Sequence, residues 1–142
     1  MGNVLISLLL LVTLNPSSAA RSIERAFLQN NAQALLEVLP SDGRINLSFP
    51  EPISFSDQLS NQQTVLLLEK LFATYITQEF FSELGGEEPH EEKSYFFKAR
   101  WSFQDKNRNL YALDLFFQLA LVADEAEASP VWKITDIRAE KI

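Results

Sequence analysis

Residues 94–104 read SYFFKARWSFQ, residues 105–109 DKNRN, and residues 110–124 LYALDLFFQLALVAD. Two long alternating runs flank a polar five-residue break, which predicts a β-hairpin. In the first run Tyr95, Phe97, Ala99, Trp101 and Phe103 share one face. Ser94, Lys98, Arg100, Ser102 and Gln104 share the other, with Phe96 as its apolar exception. In the second run Tyr111, Leu113, Leu115, Phe117, Leu119 and Leu121 form an equally continuous apolar face. A sheet with one such face needs a second layer to bury it. The remaining segments are read as that layer and as further strands.

Working outward toward the N-terminus, Ile23, Ala26, Phe27, Ala34, Leu35 and Val38 follow helical spacing. Asn30-Asn31 interrupts the run, and Asn30 followed by Gln33 resembles a capping box. This predicts one helix ending near Gln29 and a second from Ala32 to Leu39, stopped by Pro40-Ser41-Asp42-Gly43. Ile45, Leu47 and Phe49 then alternate as a short strand, ended by Pro50-Glu51-Pro52. Asn46-Leu47-Ser48 matches a glycosylation sequon by chance, since it falls on that strand. Ile53 and Phe55 lead a loop to Ser60, which with Gln63 forms a capping box for a long helix from Asn61 to near Tyr75. Leu68, Leu71, Phe72 and Tyr75 make its stripe, and Val65 to Leu68 is apolar all round, which predicts deep burial. Thr77 to Leu84 reads as a strand.

Beyond the hairpin, Val131 to Lys141 is the last strand, and its parity slips. Trp132 and Ile134 have one phase, Ile137 and Ala139 the other; a β-bulge near Thr135-Asp136 restores a single apolar face.

The chain has 142 residues, 46% hydrophobic and 22% charged, which bounds it to one ordinary globular domain. It has no cysteine, so disulfides, thiolate metal sites and thiol nucleophiles are excluded. A net charge of −7 argues against nucleic acid as a partner and against adsorption to anionic lipid. Residues 1–20 form a separate segment. MGNVLISLLLLVTLNPSSAA carries no charged side chain, and Val4 to Leu14 is apolar except for Ser7 and Thr13. Eleven helical residues span about 16 Å, too short for a stable membrane anchor. Small residues at Ser18 and Ala20 suit a signal-peptidase site, although the segment lacks a Lys or Arg near its start. The expected division is a signal peptide over 1–20 and a single domain over 21–142, with export to the periplasm or beyond the cell.

Residues 85–93, GGEEPHEEK, hold the only histidine. Carboxylates beside His90 in a loop lack the fixed geometry that metal ligation needs, so the reading is a solvated acidic loop, with no metal site and no cofactor.

The order is helix, helix, short strand, long helix, then four antiparallel strands. Together with the opening RAFLQNNAQALLEVL (25–39) and the closing WKITDIRAEKI (132–142), this resembles the nuclear-transport-factor-two-like superfamily. That resemblance implies an α+β cone of the cystatin-like kind, with N-terminal helices packed on a curved antiparallel sheet in the order α-α-β-α-β-β-β-β. The superfamily includes ketosteroid isomerase, polyketide cyclases and many exported bacterial proteins of unknown function, and the last group is the most similar. A cone can leave a cavity between helices and sheet. Tyr75, Trp101, Asp114, Phe117 and Trp132 are the candidates to line a pocket for a small apolar ligand. Asp114, Asp136 and the tyrosines 75, 95 and 111 are the residue types a proton-transfer site would need. If Phe103 stands opposite Tyr111, Arg100 faces Asp114; a two-residue slip brings Lys98 there instead. Either pairing makes Asp114 a structural ion-pair partner, and a carboxylate so held is a poor proton abstractor. No catalytic residue is assigned.

Three functions are consistent with the sequence. The first is a non-catalytic exported binding or assembly module whose partner is a protein or a small apolar molecule. The second is a small enzyme of the isomerase or cyclase type. The third is a structural homodimer joined sheet to sheet, because Phe96, Phe116, Ala120 and Val122 interrupt the polar face of the hairpin.

Overall fold

The computed structural model describes residues 16–83, 93–123 and 129–142. The glutamate-rich loop and its His90 lie outside the described residues, as does the apolar N-terminal run. Among the described residues, two α-helices, α1 (Ser17–Leu28) and α2 (Asn61–Thr74), and a 3₁₀ helix (Ala32–Val38) cover one face of a six-stranded sheet. The strands are β1 (Ile45–Phe49), β2 (Phe55–Leu59), β3 (Ile76–Ser82), β4 (Ser94–Gln104), β5 (Leu110–Val122) and β6 (Val131–Lys141). They are ordered β2-β1-β6-β5-β4-β3. The architecture is the α+β layering expected, on a curved open sheet.

Two features of the sheet correct the sequence reading. It is mixed rather than wholly antiparallel, because β1 runs parallel to β6, with Leu47 beside Ile137. It also holds an additional strand, since residues 55–59, expected as loop, pair with β1 from Phe49↔Phe55 to Ile45↔Leu59. β2 escapes pattern reading for a physical reason. It is an edge strand whose Ser56, Asp57 and Gln58 are all exposed, so it has almost no buried face to give a period of two.

The hairpin closes with Phe103 opposite Tyr111, which places Arg100 opposite Asp114. Its loop is tied by Asp105, whose Oδ1 accepts from the backbone N–H groups of Asn107 and Asn109, both at 2.9 Å. Arg108 takes the left-handed conformation there. The bulge near Thr135 is present: Gln118 faces Asp136 but Leu119 faces Ile134, leaving Thr135 as the extra residue. That one-residue insertion keeps Trp132, Ile134, Ile137 and Ala139 all in the core.

On the helical side, α2 starts at the expected Ser60–Gln63 capping box, with both reciprocal bonds formed. Its expected all-round burial does not hold. Leu68 is fully buried, but Leu66 is 57% exposed and Leu67 half-buried, because a helix lying on a sheet always turns one side to water. The 3₁₀ helix is capped by Asn31, whose side chain accepts from Gln33 N–H, and not by Asn30. Asn30 instead ends α1 in the left-handed region, at φ 49°. Its amide donates to the Phe72 and Tyr75 carbonyls, and its oxygen accepts from Thr77 N–H. One side chain thus joins the end of α1 to the turn between α2 and β3.

α1 begins at Ser17, so the small residues read as a cleavage site are its first turn. Ala19 and Ala20 are buried, and Ser22 donates to the Ser18 carbonyl and to Glu37.

Candidate functional site: the outer face of the sheet

The sheet has two faces of different chemistry, and the pocket candidates divide between them. On the inner face, Phe27 of α1 is the hub. Its ring lies 5.2 Å from Phe72, 4.8 Å from Phe80, 5.2 Å from Trp101 and 6.0 Å from Phe117. Trp101 and Phe117 are at 0% exposure, and the Trp101 indole N–H donates to Thr77 Oγ1 at 2.9 Å. A ring that is enclosed and hydrogen-bonded in this way is core, and a ligand would have to displace it. Tyr75 lies toward the hairpin-loop end, against Phe103 and Tyr111. Trp132 packs against Tyr95, whose own neighbour is Phe97. Tyr75 and Trp132 therefore sit at opposite ends of one continuous aromatic network that runs through Trp101, Phe27 and Phe117.

Asp114 is on the opposite face altogether. Its carboxylate is held by Arg100 Nε at 3.2 Å and by Lys98 Nζ at 3.6 Å. The two partners foreseen as alternatives of register are both present, since Lys98 reaches diagonally from its own place opposite Phe116. Asp136 is likewise engaged, accepting from Asn46 Nδ2 at 2.8 Å and from its neighbour Thr135 Oγ1 at 2.9 Å. Tyr111 donates to Asp105 Oδ2 at 3.3 Å. Removal from water, then the Asp105 charge, raise the Tyr111 hydroxyl above its ordinary value; the Asn109 side-chain bond above all lowers Asp105. This pair ties down the hairpin loop. Among the described residues no group of three or more histidine and carboxylate side chains is placed to hold a metal ion.

What the outer face does present is exposed aromatic surface. Phe81 is 72% and Phe96 57% exposed. Phe96 lies 6.3 Å from Phe116, and the Phe116 ring is flanked by Lys98 Nζ at 5.9 Å and by Arg138 Cζ at 4.8 Å. Arg138 also pairs with Glu140 at 3.5 Å. Beside Arg138 lies a trough of about 310 Å³, floored by short side chains from three strands, Asn46, Ser48 and Ser56 among them. A second, of about 470 Å³, lies over Ser102 and Ala112 next to Leu110. The outer face is thus ridged by phenylalanine and arginine and hollowed by serine and alanine. Sequence parity identified Phe96 and Phe116 as outward. Phe81 was missed because the adjacent Phe80 is buried, and the pair reads as one apolar unit.

No family model matches this chain, and no curated protein matches it. Solved structures do. A DUF4783 family protein from Bacteroides ovatus superposes with TM-score 0.60 at 17% identity, over 85% of this chain and 93% of that one. An NTF2-like protein of unknown function in nutrient uptake from Rhodospirillum rubrum gives 0.61 at 11%, over 90% and 98%. The fold is the NTF2-like, cystatin-like cone. A protein from Thiobacillus denitrificans, described as a candidate calcium/calmodulin-dependent protein kinase type II association domain, gives 0.64 at 10%, over 90% and 95%. At these identities the cone fold is what is shared, and the chemistry of each neighbour remains its own.

Proposed function

We propose that this cone is a non-catalytic binding or assembly module that acts through the outer face of its sheet toward a protein partner. The observation that carries the reading is exposed Phe81 and Phe96, with half-buried Phe116 beside Phe96, on the face turned away from the helices. Large aromatic side chains with arginine beside them are the residue types that dominate protein interfaces. Asp114, the carboxylate at mid-strand, is held between two cations, which speaks for a structural part rather than proton abstraction. A neighbour described as an association domain agrees with an assembly role.

The uncharged apolar run over residues 4–14 supports export as part of the same reading. Cleavage between Ala20 and Arg21 would then have to precede folding, because that bond lies within α1. N-terminal sequencing of protein from its own host tests this point: Arg21 as the first residue is expected, and a retained Met1 on cytoplasmic protein overturns it.

The assembly reading is tested by placing a photo-crosslinking benzoylphenylalanine at Phe96, and separately at exposed Leu66 on the helical layer, in the native host. Crosslinked protein from position 96 and none from position 66 is expected. The reverse pattern, or a turnover activity lost in Asp114→Asn without loss of fold, overturns the proposal.

A further inference from the structure

Beyond the protein-partner reading of the outer face, we infer that the trough beside Arg138 is a binding site for a neutral saccharide. The argument rests on which groups line the trough, how they are held and which of them are left to bond.

The register builds a small grid of outward side chains. Asn46 and Ser48 of β1 alternate with buried Ile45, Leu47 and Phe49. Gln58 and Ser56 of β2 stand on one side of them, Gln58 opposite Asn46 and Ser56 opposite Ser48. Asp136 and Arg138 of β6 stand on the other side, beside Asn46 and Ser48 respectively. All of these line the trough of about 310 Å³. That volume is at the small end of ligand sites. The grid measures about 7 Å along the strands and about 10 Å across them, the footprint of a sugar ring with its hydroxyls. None of its side chains is β-branched or aromatic, the types a sheet surface favours, so the sheet alone does not call for this set.

The grid is also held in place. Thr135, the extra residue of the β6 bulge, donates to Asp136 Oδ2 at 2.9 Å, and Asn46 Nδ2 donates to Asp136 Oδ1 at 2.8 Å. The bulge thus aims Asp136, and Asp136 turns the Asn46 amide so that its oxygen is left as an acceptor. Among the described residues the Ser48 and Ser56 hydroxyls and the Gln58 side-chain amide bond to no other group.

What is left over decides the ligand class. The charged groups on and beside the trough are engaged. Glu140 holds Arg138 Nε at 3.5 Å, and the Gln58 carbonyl holds Arg44 at 3.3 Å. Both Asp136 oxygens accept, and Asp57 Oδ1 accepts from Gln58 N–H at 2.7 Å. A phosphate or carboxylate arriving at Arg138 would meet Asp136 and Glu140, and an ammonium arriving at Asp136 would meet Arg138. The groups still able to bond are two hydroxyls, two amides and the remaining guanidinium N–H groups of Arg138. Donors and acceptors are therefore interleaved a few ångströms apart. A polyhydroxylated ring matches such an array, since each of its hydroxyls both donates and accepts. Asn46 and Ser48, which the sequence presents only as a chance sequon, acquire this role from the strands on either side of them.

Amide-resolved NMR titration of the full chain tests the inference, with D-glucose, D-galactose and N-acetylglucosamine as neutral probes and glucosamine and glucuronate as charged ones. The trough is open, so a Kd on the order of 1 mM is expected for at least one neutral sugar. Its saturable shifts should centre on residues 46–48, 56–58 and 136–138, and both charged sugars should bind more weakly. Ser48→Val with Ser56→Val fills the floor and removes both hydroxyls with side chains that suit a strand; binding should weaken by about tenfold or more at an unchanged or higher thermal midpoint. Ser102→Val, in the other hollow, should leave binding as it is. No saturation by any neutral sugar up to about 50 mM overturns the inference, as do shifts centred elsewhere, tighter binding of a charged sugar, or a double valine variant that binds like wild type. The position-96 crosslink reports on the protein partner alone, so either reading can fail without the other.

Discussion

Asn30→Ala removes three hydrogen bonds and leaves a left-handed backbone position without a residue suited to it. The amide of Asn30 supplies the Phe72 and Tyr75 carbonyls, both at 3.1 Å, at the C-terminal end of α2, where carbonyls have no helical donor. Its oxygen receives Thr77 N–H at 3.3 Å, and Thr77 Oγ1 receives the Trp101 indole. Each bond contributes about 0.5–1.5 kcal/mol net; for three partly buried bonds, some replaced by water, about 2–3 kcal/mol is a fair total. Holding alanine at φ 49° adds about 1 kcal/mol. The expected loss is therefore about 3–4 kcal/mol, visible as a lower urea midpoint at constant m. Asn30→Gly keeps the backbone conformation and should lose about 1 kcal/mol less than alanine. Asn30→Asp faces two carbonyls with a carboxylate and should be no better than alanine. Faster hydrogen exchange of the Trp101 indole in all three variants would show that the chain of bonds is continuous. An alanine variant within about 0.5 kcal/mol of wild type would refute the argument, since water would then be serving those groups equally well.

Trp101→Ala and Trp132→Ala should each cost about 3–5 kcal/mol in chemical denaturation, as both rings are buried among other aromatic side chains; near-wild-type midpoints would mean that they line open space. In a double-mutant cycle Asp114 should couple to Arg100, and separately to Lys98, by only about 0.2–1 kcal/mol, because Arg100 and Lys98 are half- and one-third exposed. A chain beginning at Arg21 should be about 1–2 kcal/mol less stable than one beginning at Pro16, having lost the buried methyls of Ala19 and Ala20 and placed an α-amino charge at a helix N-terminus; equal thermal midpoints would contradict this. Asp105 is lowered in the fold, so its contribution is present above the ordinary Asp value and lost as pH falls through the folded one. Tyr111 is raised, so its contribution is present below about pH 10 and lost as pH climbs through the folded value. Asp105→Asn should flatten the acid limb of a stability–pH curve.

The parts of this fold legible in the sequence are those in which burial imposes a period. β4 and β5 each bury one face along most of their length, so alternation gave the strands and narrowed the register to two, of which the one that sets Arg100 against Asp114 is formed. The slip in β6 betrayed the bulge at Thr135 because four core residues in two phases admit one repair. Where burial is partial the signal fades. β2 pairs through backbone groups that any sequence has, and the parallel contact of β1 with β6 joins segments about 90 residues apart with no local mark. Asn30 and Asn31 are adjacent, identical and both near a helix end. Only the three-dimensional position of Phe72, Tyr75 and Thr77 decides which of them caps and which one bridges.

The candidate site was harder to read than the fold, because one residue type serves both faces. Phe80 and Phe81, or Phe96 and Phe97, are equal as letters and opposite in place: one of each pair closes the core and the other stands in water. A solvated sheet face under no further demand tends to carry polar side chains at all such positions. Here it keeps Phe81 and Phe96 exposed, with Phe116 half-buried between Lys98 and Arg138. Exposed aromatic surface with arginine beside it is what an interface uses and what a merely solvated face does not need. Asp114 belongs to that arrangement. Its two cations leave it little to do as a base, but they fix Lys98 beside the Phe116 ring, with Arg138 on the next strand completing the flank. Substituting Asp114 should therefore disturb partner binding more than it disturbs the fold.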